Sequence, residues 1–474
     1  MPTKHTATDS RNLPKKHSGM SLDIIRPAAG NGKKVYMETY GCQMNVADSG
    51  IILSILGKEG YARTDDMEQA DIILVNTCSV RDNAERRVRG RIGEFARCKQ
   101  SRRGVTVGVV GCMAERLSEV LLREESAVDF VAGPDSYHDL PRLIEAAAAG
   151  TKSANTILSA EETYADVKPV RIDPDGVSAF VSIMRGCNNF CSYCVVPYTR
   201  GRERSRGPQS VIAEAQNLFG EGVREITLLG QNVNSYRRED AAGKTVDFPD
   251  LLTAVADISP LLRVRFATSH PKDLSDRLLD AMASRPNICR AIHLPAQSGS
   301  GRMLEKMNRK YTREWYLERV TAIRSRMPDC GITTDLIAGF CGETDEDHRQ
   351  TLSLMREVGY DSAYMFRYSP RPGTLADRTM PDDVPDSVKG ARLTEIINLQ
   401  NELSLESNRR DIGKCFEVLA EGPSKRDPSR MCGRTSQNKM TVFPAGGTRP
   451  GDYVTVKIEN CTQATLTGVI IQET

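Results

Sequence analysis

Cys187, Cys191 and Cys194 stand in Met184-Arg185-Gly186-Cys187-Asn188-Asn189-Phe190-Cys191-Ser192-Tyr193-Cys194, directly after the apolar run Ala179 to Met184. These spacings let one tight loop wrap three thiolates around a soft metal centre, and iron–sulfur clusters and zinc are the usual occupants. A closed structural zinc site takes four protein ligands, usually in paired short spacings. No fourth ligand lies near in sequence, since His138 and His270 are dozens of residues away. The pattern favours a cubane cluster held at three corners, its fourth iron open to a small chelating molecule. Structural zinc and free thiols are the competing readings.

A second trio is spread over the first third of the chain. Cys42 follows Tyr40-Gly41, Cys78 follows Asn76-Thr77 and Cys112 follows Val110-Gly111. Each comes just past a short apolar strand: Val35 to Thr39, Asp71 to Asn76, Val105 to Val110. Helical stretches separate them; Asp48 reads as the cap of one whose Ile51, Ile52, Ile55 and Leu56 recur at helical spacing. Alternation at this interval implies a doubly wound parallel sheet, with all carboxyl ends along the edge where such sheets take ligands. The three cysteines should therefore meet and hold a second cluster with an open iron, and Gly41 and Gly111 would allow close approach. The blander reading is three small buried hydrophobes at strand ends.

The elements that must position these groups divide 474 residues into three units, an α/β protein throughout. Residues 33–150 form the doubly wound domain and 151–176 a polar linker. Residues 177–410 offer six strand candidates, Ala179 to Met184, Glu225 to Leu229, Val264 to Thr268, Ala291 to Leu294, Ile332 to Ala338 and Ala363 to Tyr368, which imply a partial (β/α) barrel of TIM type. Residues 411–474 alternate as a small β-barrel, with strands Lys414 to Ala420, Lys439 to Phe443, Asp452 to Asn460 and Ala464 to Ile471. Residues 1–32, basic and rich in Ser, Thr, Pro and Gly without an apolar core, read as a disordered tail and not a secretory signal.

No run is long enough for a membrane helix. Thirteen cysteines without an export signal point to a reducing compartment, the cytoplasm. A net charge of +2 leaves nucleic-acid binding to local patches. Arg81 to Arg103 carries nine positive against three negative side chains, a solvated helix face or an RNA-phosphate surface. Arg200, Arg202, Arg204 and Arg206 follow the metal loop and suit a substrate phosphate or cofactor carboxylate, with a solvated loop or inter-domain salt bridges as alternatives. Past the later strands, Gly230-Gln231-Asn232, Ser269-His270, Pro295-Ala296-Gln297-Ser298-Gly299 and Gly339-Phe340-Cys341-Gly342-Glu343-Thr344 aim at the same rim.

From about residue 33 onward this order of parts resembles the methylthiotransferases of the radical S-adenosylmethionine (SAM) superfamily, and Tyr193 is the aromatic residue such loops carry before the last cysteine. Glu38-Thr39-Tyr40-Gly41-Cys42-Gln43-Met44-Asn45 looks like the signature of the branch acting on isopentenylated adenosine in tRNA. The ribosomal-protein branch typically reads Gly-Cys-Pro-Lys-Asn there, and the threonylcarbamoyl-adenosine branch Gly-Cys-Lys-Val-Asn. The C-terminal segment is similar to the RNA-binding TRAM domain, and Cys341 departs from the family's proline.

The resemblance implies two [4Fe-4S] clusters. One, on Cys187, Cys191 and Cys194, reduces SAM to methionine and a 5′-deoxyadenosyl radical; the other, on Cys42, Cys78 and Cys112, delivers a methylated sulfur. Tyr193, Gln231, Asn232 and Gln297 are the expected cofactor contacts, and Arg200, Arg202 and Arg204 the expected RNA contacts. The expected partners are tRNA with isopentenylated adenosine at position 37 and an electron donor such as flavodoxin or ferredoxin, for an enzyme working as a monomer. A methylthiotransferase on another target, or a non-enzymatic iron–sulfur RNA sensor, are the rival readings.

Overall fold

The computed structural model describes residues 31–79, 82–173 and 176–471, so the tail expectation before residue 31, and Arg81 of the basic run, lie outside the described residues. The first sheet holds β1 (Lys34–Thr39), β2 (Ala62–Arg63), β3 (Ile72–Thr77), β4 (Thr106–Gly111), β5 (Phe130–Ala132) and β6 (Ser153–Asn155). Its order is β2-β1-β3-β4-β5-β6, parallel throughout. Every residue of β3 and β4 is buried, as a sheet covered on both faces requires. The helices α1 (Gln43–Lys58), α2 (Asp82–Ser101), α3 (Cys112–Glu124) and α4 (Leu140–Ala148) supply the covers. They bury one apolar layer around Ile52, Leu74 and Phe130 and another around Ile73, Phe95 and Val107. The segment expected as a linker contributes the edge strand β6, whose polar residues hide it.

One expectation on α1 changes. The helix begins at Gln43, with Cys42 at its cap, so Asp48 lies inside it and is fully buried. A short polar residue ahead of an apolar run has the look of a cap; here its partners come from far along the chain.

The second unit contains β7 (Ser178–Ser182), β8 (Met184–Arg185), β9 (Arg204–Ser205), β10 (Glu225–Leu229), β11 (Arg237–Glu239), β12 (Thr245–Asp247), β13 (Arg263–Ala267), β14 (Ala291–His293), β15 (Gly331–Ala338) and β16 (Ser362–Arg367). Six of these form two parallel ladders, β13-β10-β7 and β14-β15-β16, which a single bridge from Val264 to Ile288 links into an incomplete barrel. The short antiparallel pair β8-β9 pinches the base of the three-cysteine loop. Helices α5 (Val196–Thr199), α6 (Pro208–Gly220), α7 (Phe248–Ala256), α8 (Asp276–Ser284), α9 (Gly301–Lys306), α10 (Arg313–Arg326), α11 (Asp345–Val358) and α12 (Leu375–Thr379) fall between and after the strands, and α13 (Asp386–Arg409) leads out.

The last unit is a closed barrel of β17 (Cys415–Pro423), β18 (Arg430–Thr435), β19 (Met440–Pro444), β20 (Tyr453–Cys461) and β21 (Leu466–Ile470). The alternation in sequence exposes four of the five. β18 escapes because its buried positions are Met431, Gly433 and Thr435, and a Cβ on Gly433 would lie 2.0 Å from the Leu419 carbonyl oxygen. This barrel docks under the amino ends of the second unit's strands, opposite the cysteine loop. Arg263 donates to the Arg434 carbonyl at 2.7 Å, Arg265 to the Thr435 carbonyl at 2.7 Å, and Tyr453 to the Arg224 carbonyl at 3.2 Å. No described helix is long and apolar enough to cross a membrane.

Arg265 also holds Glu225 at 2.7 Å, both side chains being buried. Arg265→Ala strands that carboxylate and removes two anchors of the C-terminal barrel. We expect a loss of about 3–5 kcal/mol, read by urea unfolding, with faster proteolytic cleavage near residues 410–414.

Candidate active site

The sheet brings the first trio together at the point where its strand order reverses, between β1 and β3. Gly41 takes φ +124° and its Cβ would lie 2.4 Å from the Cys78 Cβ; Gly111 takes φ +92° and its Cβ would lie 2.4 Å from Asn76 Oδ1. Only glycine lets these strand ends approach so closely. Asn45 accepts from the Cys42 thiol at 3.1 Å and donates to Asn76 Oδ1 at 2.9 Å, which locks the Cys42 turn to β3. Cys78 and Cys112 are buried, whereas Cys42 as a residue is exposed although its thiol is crowded by the surrounding protein.

A hydrogen bond with Cys78, helped by the charge of Arg200 and opposed by burial, draws the Cys42 thiol down to about 6. Burial pushes the Cys112 thiol up, against the pull of Arg200, whose Nε lies 3.1 Å from Sγ. Arg200 Nη1 is buried without a hydrogen-bond partner in the protein. Three converging sulfurs beside an unsatisfied guanidinium N–H suit a bound anionic, sulfur-rich group. From the second unit, Arg371 comes close enough to feel the charge of Cys78.

The second trio is shaped by Gly186, at φ +78°, whose Cβ would lie 2.1 Å from the Arg202 carbonyl oxygen. Cys187 N–H donates to the Gly201 carbonyl at 3.2 Å, and Cys194 N–H to that of Cys191 at 2.9 Å. Burial, reinforced by repulsion from Cys191, pushes the Cys194 thiol up to about 12, and burial also raises Cys187. A coordinated metal reverses that preference, because a ligating thiol loses its proton outright. The counter-charge is Arg309, 4% exposed. Its Nη1 lies 3.3 Å from Cys191 Sγ and 3.3 Å from the Tyr193 hydroxyl, Nη2 donates to the Pro295 carbonyl at 2.8 Å and Nε to the Tyr311 hydroxyl at 2.9 Å. No carboxylate is among its partners in the described residues. A buried lone cation is costly, and thiolates on a cluster supply the missing anion.

Beside this loop, at the carboxyl ends of β7, β10 and β13, six buried polar atoms have no partner in the protein. They are Ser182 Oγ, Gln231 Oε1, both amide atoms of Asn234, Ser269 Oγ and His270 Nε2. Each such atom costs about 1–3 kcal/mol if left unpaired, so the group fits a polar ligand such as SAM. Burial, with Arg309 nearby, draws His270 down to about 2, so it works as a neutral imidazole. Among the four residues expected on the cofactor, Tyr193 touches Arg309 and Gln231 faces this cradle. Asn232, 1% exposed, donates to Asp273 Oδ2 at 2.7 Å and accepts from the His270 N–H at 3.1 Å, so its amide braces the His270 turn beside this cradle. Gln297, at φ +68°, is pinned by backbone bonds to Asp335 and Ile337. Asn234, Ser182 and Arg309 were not expected; Ser182 ends β7 and Asn234 lies in the short turn Val233–Ser235 after β10, and position after a strand is the one signal that could have found them.

The two trios meet across a seam built on Asp48. Its carboxylate accepts from Arg185 Nη1 at 2.9 Å, from Arg200 Nη2 at 2.7 Å and from the Tyr137 hydroxyl at 3.2 Å. Burial alone would raise that carboxyl; the two guanidinium groups outweigh it and hold it below the usual value. Arg204 pairs with Asp135 at 2.8 and 2.9 Å. Arg200 and Arg204 are therefore corrected from RNA contacts to buried inter-domain ion pairs, 2% and 7% exposed, while Arg202 stays on the surface. Cys341 is buried in the apolar cluster that contains Phe340 and Tyr368. In the basic run, Arg89, Arg91, Lys99 and Arg102 serve carboxylates of their own domain, whereas Arg97 and Arg103 are exposed.

Gly41→Ala forces Cys78 aside, and iron per chain is expected to fall by about half with the second trio's EPR signal intact. Arg309→Met removes a buried positive charge beside an anionic centre. At fixed reductant potential the reduced fraction at that centre should drop about tenfold, a shift of about 59 mV for one electron, measured by EPR redox titration.

Residues 34–133 match the family described as uncharacterized protein family UPF0004, residues 181–355 the radical SAM superfamily, and residues 409–471 the TRAM domain. The chain is 55% identical over 446 residues to tRNA-2-methylthio-N(6)-dimethylallyladenosine synthase of Bacteroides fragilis, covering 94% of this chain and 97% of that one. The protein of the same name from Phocaeicola vulgatus is 56% identical over 447 residues, covering 94% and 98%. In fold, the chain is similar to the radical SAM methyltransferase TsrM of Kitasatospora setae, solved with cobalamin and a [4Fe-4S] cluster, with a TM-score of 0.54 at 16% identity over 73% of this chain and 77% of that one. On this likeness along nearly its whole length, the chain belongs to the radical SAM methylthiotransferases, in the branch of the tRNA-2-methylthio-N(6)-dimethylallyladenosine synthases.

Proposed function

We propose that this chain adds a methylthio group to carbon 2 of N6-isopentenyladenosine at position 37 of tRNA. The observation that carries the reading is the Asp48 seam, which ties the turn of one cysteine trio to the loop of the other through Arg200 and Arg185. Sulfur insertion at an unreactive ring carbon needs a radical source and a sulfur source within reach of one atom. When bound, two [4Fe-4S] clusters and SAM supply that radical and sulfur chemistry, which no side chain has.

The chain's own residues bind, orient and shield. Cys187, Cys191 and Cys194 hold one centre, and Arg309 balances its charge. Ser182, Gln231, Asn234, Ser269 and His270 take the polar groups of SAM. Cys42, Cys78 and Cys112 hold the other centre, with Arg200 donating toward it. The buried ion pairs of Asp48 and Asp135 keep water out of the seam between the two. We assign the doubly wound unit to about residues 33–150, the radical unit to 177–410 and the RNA-binding barrel to 411–474. The enzyme works in the cytoplasm as a monomer and takes electrons from a flavodoxin or ferredoxin.

Reconstituted protein incubated with SAM, reductant and isopentenylated tRNA should yield the methylthio nucleoside by mass spectrometry, and unmodified product after full turnover of SAM would refute the substrate. Cys78→Ala is expected to retain SAM cleavage to 5′-deoxyadenosine and lose thiolation; Cys191→Ala should lose both. Thiolation surviving in Cys78→Ala would overturn the two-centre reading.

A further inference from the structure

The rim beside the radical loop carries a set of side chains that the chemistry above does not use. Phe190, between Cys187 and Cys191, stands in left-handed backbone at φ +50°, a costly conformation for a bulky residue. Asn308 holds it there by donating to its carbonyl at 2.8 Å. The Tyr198 ring meets Phe190 edge-on, with centroids 6.4 Å apart. The Arg202 guanidinium lies over the Phe190 ring at 5.7 Å and that of Arg378 over the Tyr198 ring at 5.8 Å. The four side chains make one file, Arg202, Phe190, Tyr198, Arg378, with a cation at each end and two rings between.

This file faces water. Tyr198 is 42% exposed, and Arg202 and Arg378 are exposed as well. Among the described residues neither guanidinium has a carboxylate in ion-pair range, in contrast to the neighbouring Arg200, Arg204 and Arg206, which all do. Arg378 belongs to α12, and Ala376 of that helix donates its N–H to the Ser192 carbonyl at 2.8 Å, so both ends of the file are fixed to the cysteine loop. Two uncompensated cations flanking an exposed Tyr198 ring and a half-buried Phe190 ring are complementary to a strand that alternates phosphates with flat, unstacked bases. A duplex presents the phosphates and hides the bases, so the fit is to a single-stranded loop.

We infer that this file is the landing site for the unpaired RNA strand that flanks the reacting nucleotide, one base stacking on Tyr198 while Arg202 and Arg378 take phosphates on either side. The inference rests on the tRNA reading above and adds where the strand is gripped.

The test is fluorescence anisotropy of the full chain, both centres reconstituted, with a labelled anticodon stem-loop carrying isopentenylated adenosine. Tyr198→Ala should weaken binding about tenfold or more, and Tyr198→Phe, which keeps the ring and gives up only the 3.4 Å hydrogen bond that Arg378 donates to the hydroxyl, should lose far less. The double variant Arg202→Gln, Arg378→Gln should bind more weakly and lower the slope of log affinity against log salt by about 1.4, at about 0.7 per single-strand phosphate. Iron content reports that each variant is folded. Unchanged affinity and slope in these variants overturn the landing site while the substrate reading stands, and equal losses in Tyr198→Ala and Tyr198→Phe overturn the stacking. A parent protein that binds no stem-loop removes both the landing site and the RNA substrate.

Discussion

A single carboxylate governs how the two halves of this molecule face each other. Asp48 has no exposed surface, and its two guanidinium partners, Arg185 and Arg200, come from the other unit. Charges buried this deeply are tolerated only when paired with good geometry, because an orphaned one costs several kcal/mol. An apolar interface could slide by an ångström at little cost; one made of directional ion pairs cannot. Since Arg185 precedes the Gly186 turn and Arg200 touches Cys112, the same constraint reaches both cysteine trios.

The charge surroundings of the two trios differ in a way that matters for electrons. Arg200 shares its charge with Asp48, so the first trio feels a partly cancelled cation. Arg309 shares with no carboxylate among the described residues and leans on Cys191 with its full charge. Added negative charge is therefore better tolerated at the second trio, the one that needs an electron to start the chemistry.

Much of this was legible in sequence because it is local. The cysteines at the ends of β1, β3 and β4, and the short spacing of Cys187, Cys191 and Cys194, depend only on strand periodicity and loop length. What escaped depends on contacts across the chain. Asp48 has the composition of a helix cap, and its partners lie 137 and 152 residues away. Arg200 and Arg204 read as a basic surface loop until Asp48 and Asp135 are seen to bury them. Arg309 is one arginine in a polar loop, and nothing near it in sequence marks it as the partner of Cys191. Asn232 sits at a strand end among polar neighbours, and its bonds to Asp273 and to the His270 turn come from more than thirty residues away. Strand β18 was hidden by its own packing, since the space at Gly433 admits no side chain that would have completed an apolar alternation.

The closed barrel at the C-terminus hangs from the amino ends of the second unit's strands, while both cysteine trios open at the carboxyl ends. The eight residues of β15 separate the two levels by roughly 25 Å. Any molecule touching both must be at least that long and stiff enough to keep its reach, which makes the distance itself a gauge: a free nucleoside could fill the mouth and still fall short of the far grip.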